Sequence, residues 1–298
     1  MSLNPDVSAN AFQALWEISA YQNIASDKVS TDLWCPELKD VTQAFYNFGA
    51  CASALFPAGL VQHEFMSEIL KFPEYPLHTA DIKNEVFPEE AHFQLSLVTM
   101  LGDTFKFLTL CVTSHPHCYP DRQCLALLTL LCRVSLDKNL RKQPLMDLQQ
   151  LLLVLLEGIQ GWQEKLPELC RSLCHVSQHH HNLVAVVRLF PDATTRGRQL
   201  RRSLSLYFIM KLLGKMQMVP NSWQEEIQLQ QLCDLLPLMK PACLKQALQK
   251  AQKLQEEPAK DQQETPTDLD HEACYLCYNL LVLANVVVGT EPASPREQ

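Results

Sequence analysis

Leu145-Met-Asp-Leu-Gln-Gln-Leu-Leu-Leu-Val-Leu-Leu-Glu-Gly-Ile159 is the stretch that decides the fold class. Its leucines recur at helical spacing, while Asp147, Gln149, Gln150 and Glu157 break the apolar run short of the roughly 20 uninterrupted residues a membrane helix needs. Upstream, Leu97, Leu101, Phe105, Leu108 and Val112 step by three or four. Downstream, Leu269, Ala273, Leu276, Leu280, Leu283, Ala284 and Val287 fall within about 100° of one helical face. Fifty leucines and only eight glycines in 298 residues leave few positive-φ turns, which argues against sheets joined by tight hairpins. The expected fold is all-α: an irregular, HEAT-like stack of about ten helices, with an irregular helical bundle as the alternative. No clean repeat appears at the periods of tetratricopeptide, ankyrin or armadillo units.

Prolines punctuate the series, because proline fits a helix start but not its interior. Pro57, Pro88, Pro116, Pro120, Pro144, Pro167, Pro191, Pro220, Pro241 and Pro266 lie between or beside segments of helix length. Helices are expected near 38–55, 58–70, 89–114, 121–136, 144–160, 163–189 with a break, 196–217, 223–236, 242–255 and 268–287. Pro88 followed by Glu89 and Glu90 places a fixed φ and two carboxylates at a helix N-terminus. Ser222-Trp-Gln-Glu225 has the spacing of a capping box. Residues 1–32 are expected to be a partly helical lead-in. One all-helical domain then spans 33–287, although the length also suits two fused lobes. Polar, proline-bearing 255–268 is expected to be a mobile loop, and 288–298 a disordered tail.

A net charge of −8 argues against a protein that coats nucleic acid by bulk charge. Twelve cysteines spread through leucine-rich segments, behind a start without signal-peptide regions, fit buried thiols in a soluble intracellular protein better than disulfides. Catalytic signatures are missing: no GxSxG, no GxGxxG, and Gly214-Lys215 lacks the rest of a phosphate-binding loop. No cofactor is expected. Three clusters hold weak metal-ligand or redox candidates. His115-Pro-His117-Cys118 sits in an interhelix turn that Cys124 or Asp121 would have to complete. Cys274-Tyr-Leu-Cys277 has zinc or redox spacing without a second pair. Cys170, Cys174 and His175 occupy adjacent helical turns, where core packing is the simpler role. Successive residues of His179-His180-His181 point in different directions on a helix, which suits a solvated break or a titrating patch better than a chelate.

The basic run is the foremost binding candidate. Arg196-Gly-Arg198-Gln-Leu-Arg201-Arg202 opens a helix that continues Ser-Leu-Ser-Leu-Tyr-Phe-Ile-Met-Lys211. Arg198, Arg201, Arg202 and Ser205 share one side, and Leu200, Leu204 and Tyr207 another. Arginines in a first turn oppose the helix dipole at about 0.3–1 kcal/mol each, which an acidic partner, a phosphate or a neighbour such as Asp192 would offset.

These residues, with Leu33-Trp-Cys-Pro-Glu-Leu38 and the leucine-rich helical series, resemble the CANIN domain, the coiled-coil SMC- and NSE-interacting module. The likeness runs from about Leu33 to Leu283 and is greater to the less characterised of two paralogues that carry the module. It implies a nuclear, non-enzymatic adaptor that binds protein, SMC-complex components among its candidate partners, in genome maintenance; a cytoplasmic location is the alternative. A long disordered region precedes the module in the family factor, and none is expected here. Two other readings stand beside this one. A nucleic-acid binder would use the Arg198–Arg202 patch, and a metal- or redox-dependent regulator would use the Cys and His clusters.

Overall fold

The computed structural model describes residues 10–18, 35–55, 88–140, 143–219, 223–255 and 266–289. Among them there is no strand, so the all-α class holds. The chain divides into two compact units, 1–162 and 163–298.

In the first unit the helices are α1 (10–18), α2 (Leu38–Asn47), α3 (Ala52–Leu55), α4 (Pro88–Ser114), α5 (Asp121–Ser135) and α6 (Leu145–Gly158). The stretch that sets the fold class is α6. It buries Leu148, Leu151, Leu152, Leu155 and Leu156 against α4 and α5, each contributing up to about 2 kcal/mol by area. Gly102 lets α4 come close, since a Cβ there would stand 3.2 Å from Asp147 Oδ2 and 3.5 Å from the Pro144 ring. Prolines act as the spacing requires: Pro88 opens α4, and Pro120 and Pro144 precede α5 and α6. Asp121 then accepts from the Gln160 and Gly161 N–H groups at 2.8 and 3.1 Å, tying the start of α5 to the end of α6.

The helix expected over 38–55 is instead two helices. Gly49 at φ 91° turns the chain, and buried Asp137 accepts from Cys51 N–H at 2.6 Å and Asn139 N–H at 2.8 Å. Asn139 Nδ2 also donates to Gly49 O at 2.9 Å. The turn is therefore held by long-range polar contacts that local periodicity does not register. Phe45 packs its ring 6.1 Å from that of Phe105, seating α2 on α4. The helix expected over 58–70 lies outside the described residues.

The second unit contains α7 (Trp162–Cys174), α8 (His180–Leu189), α9 (Thr195–Leu212), α10 (Glu225–Leu235), α11 (Pro241–Gln255) and α12 (Pro266–Val288). The break expected in 163–189 falls at 175–179, whereas Pro167 lies inside α7. α9 stops at Leu212, short of the expected 217, because Gly214 at φ 66° forms a left-handed cap in which Lys215 N–H reaches Met210 O at 2.7 Å. α10 begins at Glu225, and the side chain of Gln224 before it makes no cap; the capping box expected from Ser222 lies outside the described residues. What fixes this corner is buried Gln228, whose Nε2 donates to Trp223 O at 2.7 Å, and Trp223 stacked on Tyr207 at 5.8 Å. Of the loop expected over 255–268, Gln255 ends α11 and 266–268 open α12, while 256–265, like the tail at 290–298, lie outside the described residues.

α12 packs on α8, α9, α10 and α11, with Ala273, Leu276, Leu280, Leu283, Ala284 and Val287 buried as their spacing requires. Repeats in a solenoid touch only their neighbours, so this hub-like last helix does not distinguish the unit as a HEAT-like stack. By length and composition alone, Leu95–Ser114 and Asp268–Val288 are long and apolar enough to cross a bilayer. Both also serve as packing helices, with α4 on α6 and α12 on four neighbours.

Candidate functional site

The arginine helix begins with a close backbone approach. After Phe190-Pro191, the Thr194 Oγ1 accepts from Gly197 N–H at 3.1 Å and caps α9. A Cβ on Gly197 would sit 2.1 Å from Pro191 O, so the glycine between two arginines is a packing requirement. With the 191–194 turn drawn this close, Arg198 Nη1 donates to Asp192 O at 2.9 Å and to Ala193 O at 3.3 Å, and Nη2 to Thr195 Oγ1 at 3.3 Å. These partners orient the exposed guanidinium but carry no net charge.

The other arginines differ. Arg201 is buried and pairs with Asp192 at 2.9 Å, and half-buried Arg202 pairs with Glu225 at 2.5 Å. Arg196 is half-buried. Ser205, placed on the arginine side by the helical wheel, is fully buried, as are Leu200 and Leu204 opposite. Beyond its second turn α9 is therefore a core helix, and the accessible basic surface is its first turn with Arg198 and the edge of Arg202. At the far end Lys211 Nζ donates to Cys174 O and to Ser177 O, the latter at 2.8 Å, placing a cation on the C-terminus of α7. Burial lowers the Lys211 pKa.

Residues 1–218 match the Coiled-coil and Nse Interacting (CANIN) domain. The chain belongs to the CANIN family. Its sequence is 42% identical over 292 residues to human Protein FAM178B, covering 98% of this chain and 41% of that protein. It is 35% identical over 290 residues to the human SMC5-SMC6 complex localization factor protein 2, covering 96% and 24%, and 31% identical over 296 residues to the zebrafish (Danio rerio) protein of that name, covering 95% and 24%. The chain thus spans less than half the length of these relatives. CANIN is a family of interaction domains, and none of these relatives bears an enzyme's name. The match includes all of α9 and ends at Met218, before α10 to α12.

The other candidates occupy different surroundings in this CANIN chain. Among the described residues, no three His, Cys, Asp or Glu side chains converge in a way that would hold a metal ion. His115 and His117 meet edge to face at 6.0 Å, and burial, then the neighbouring His117, lowers the His115 pKa. Asp121 is committed to capping and Cys124 Sγ to Tyr119 O at 3.2 Å, so neither completes that turn as a ligand set. Cys118 instead neighbours Cys35 and Cys111. Burial pushes the Cys35 thiol up to about 12, with help from Cys118, and the Cys111 thiol up to about 11. Tyr119 Oη donates to Pro36 O at 3.3 Å, fastening the Cys35 segment to this corner. Burial likewise raises Cys170 and takes Cys174 to about 12, the behaviour of packed thiols rather than reactive thiolates. Cys274 is exposed and Cys277 half-buried, and both are free thiols.

The histidine run corrects the expectation of a solvated break at one position. The His180 side chain is only 11% exposed, with Nε2 3.2 Å from Glu272 Oε1 and its ring against Tyr275 at 4.8 Å. His181 stacks on the same tyrosine at 6.3 Å. Glu272 and Tyr275 are some ninety residues away in the chain, so local sequence gave no signal for this contact.

Proposed function

We propose that this chain is a non-enzymatic nuclear adaptor that binds a component of the SMC5–SMC6 complex, with the first turn of α9 among its contact surfaces. Family membership and the name of the localization factor support the partner class. The observation supporting the contact is Arg198: an exposed cation at a helix N-terminus whose own partners are neutral oxygens. An acidic partner surface supplies the counter-charge this position lacks. Arg196 and the exposed edge of Arg202 extend it, while Arg201 anchors the turn through Asp192.

The test is binding of the purified chain to purified SMC5–SMC6 complex, with Arg196→Glu/Arg198→Glu beside the parent. Reversal should weaken binding at least about tenfold, a loss of about 1.4 kcal/mol, while helical circular dichroism is retained. Unchanged affinity would remove the arginine assignment, and no binding by the parent would remove the adaptor reading. Duplex DNA binding that falls steeply with salt and disappears in the same variant would favour a nucleic-acid role instead.

A further inference from the structure

Two half-buried thiols from distant parts of the first unit meet at the turn between α4 and α5. Both stand in backbone that local contacts hold in place. Cys35 leads through Pro36, whose φ is fixed, into Glu37, and Glu37 N–H donates to Asp40 Oδ2 at 2.9 Å at the start of α2. Cys118 closes the short 3-10 turn Pro116–Cys118, where its N–H donates to His115 O at 3.0 Å and Tyr119 N–H to Pro116 O at 3.1 Å. Tyr119, itself buried, joins the two segments: its Oη donates to Pro36 O at 3.3 Å, 83 residues away along the chain. The residues that follow the two thiols are thus bonded to each other, and the thiols themselves are neighbours.

The surroundings of the pair determine the chemistry open to it. Both cysteines are free and half-buried, whereas Cys111, the third thiol of this corner, is buried beside the Tyr119 hydroxyl. Two sulfurs are half of a tetrahedral zinc set, and among the described residues no three His, Cys, Asp or Glu side chains form a group that would hold a metal. Pairing with each other is what remains to them. Other neighbouring thiols lack one of these properties. Cys170 and Cys174 are both buried, and Cys274 and Cys277 lie on one helix, where a bond would tie α12 only to itself. Burial, and then Cys118, raise the Cys35 pKa to about 12, so Cys35 keeps its proton at neutral pH.

We infer that Cys35 and Cys118 are a peroxide-responsive pair, oxidised to a disulfide that fastens the segment entering α2 to the turn between α4 and α5. Hydrogen peroxide is the oxidant. Its O–O bond breaks as the Cys118 sulfur takes one hydroxyl to become a sulfenic acid, and the other hydroxyl leaves as water with the Cys118 proton. The Cys35 sulfur then attacks that of Cys118, and the displaced hydroxyl leaves as a second water with the Cys35 proton. The two thiols give up two electrons in all, and one peroxide becomes two waters. In a reducing compartment such a bond is transient, and dithiols reverse it. The inference goes beyond the adaptor reading and stands without it.

The test exposes the whole purified chain to a small excess of hydrogen peroxide, alkylates the remaining thiols and maps the peptides by mass spectrometry without reduction. A linked Cys35–Cys118 peptide, two hydrogens lighter than its parts, should be the predominant product, and dithiothreitol should abolish it. In Cys35→Ser the resolving thiol is gone, so dimedone, which traps sulfenic acids, should label Cys118 there and leave Cys118 of the parent largely unlabelled. Cys35 and Cys118 that stay reduced while exposed Cys233, Cys243 and Cys274 oxidise would overturn the proposal. So would a bond from Cys118 to any other cysteine, or equal dimedone labelling of Cys118 in parent and variant.

Discussion

Replacing Gly197 with alanine sets helix propensity against tertiary packing at one atom. In an unconstrained helix, glycine to alanine gains about 0.8–1.0 kcal/mol. Here the added Cβ would lie 2.1 Å from the carbonyl oxygen of Pro191, and the obstructing atom is backbone that cannot rotate away. Relieving the overlap requires the 191–194 turn or the first turn of α9 to move by more than 1 Å, about the gap to an ordinary contact. That motion breaks the Thr194 cap and pulls the Asp192 and Ala193 carbonyls from Arg198. Overpacking of this kind costs about 1–3 kcal/mol or somewhat more, and losing the cap adds about 1 kcal/mol. After the propensity gain, the expected net loss is about 1–3 kcal/mol. Urea unfolding followed by circular dichroism reads this as a midpoint lowered by about 1 M at an m-value near 2 kcal/mol/M. Gly158→Ala is the control, because a Cβ there meets nothing within 4 Å, and it should be neutral or slightly stabilising. A Gly197→Ala protein as stable as the parent would refute the close-approach argument.

Two further outcomes follow from groups in the first unit. Asp137→Ala removes the acceptor of two backbone N–H groups and should cost about 2–3 kcal/mol in urea unfolding, with Asp137→Asn intermediate; a loss near zero would show that the α2–α3 turn is held by other contacts. Alkali should destabilise the fold through its raised thiols. A folded pKa above the unfolded value contributes stability that is complete below the unfolded value, here 9.0, and is lost as pH rises through the folded one. With Cys111 and Cys124 both pushed up to about 11 by burial, stability should fall between about pH 9 and 11, and Cys111→Ala/Cys124→Ala should flatten that fall relative to its own stability at pH 7. An equally steep decline in the double variant would assign the alkaline transition to other groups.

Much of the helical framework was legible because burial on one face imposes spacing that survives in one dimension. The seven-residue apolar face of α12 and the leucines of α6 are instances. The helix ends were less legible where the stop is a tertiary matter. Gly49 shows that a turn is permitted, but Asp137 and Asn139, nearly ninety residues away, hold it. The arginine cluster was visible as a group, yet its members could not be told apart. Arg198 and Arg201 differ in exposure because of where Asp192 and the Pro191 carbonyl lie, and those positions depend on the 191–194 turn.

The sequence by itself determined an all-α chain with a CANIN-like texture, a basic helix start and thiols placed among leucines. Composition and periodicity are sums over neighbours along the chain, and those properties are such sums. Only the tertiary structure decided that Gly197 is required by a carbonyl, that Arg201 is an anchor while Arg198 faces outward, and that His180 packs on Tyr275. Each depends on which distant atoms meet, and the spacing of residues along a chain carries no record of that.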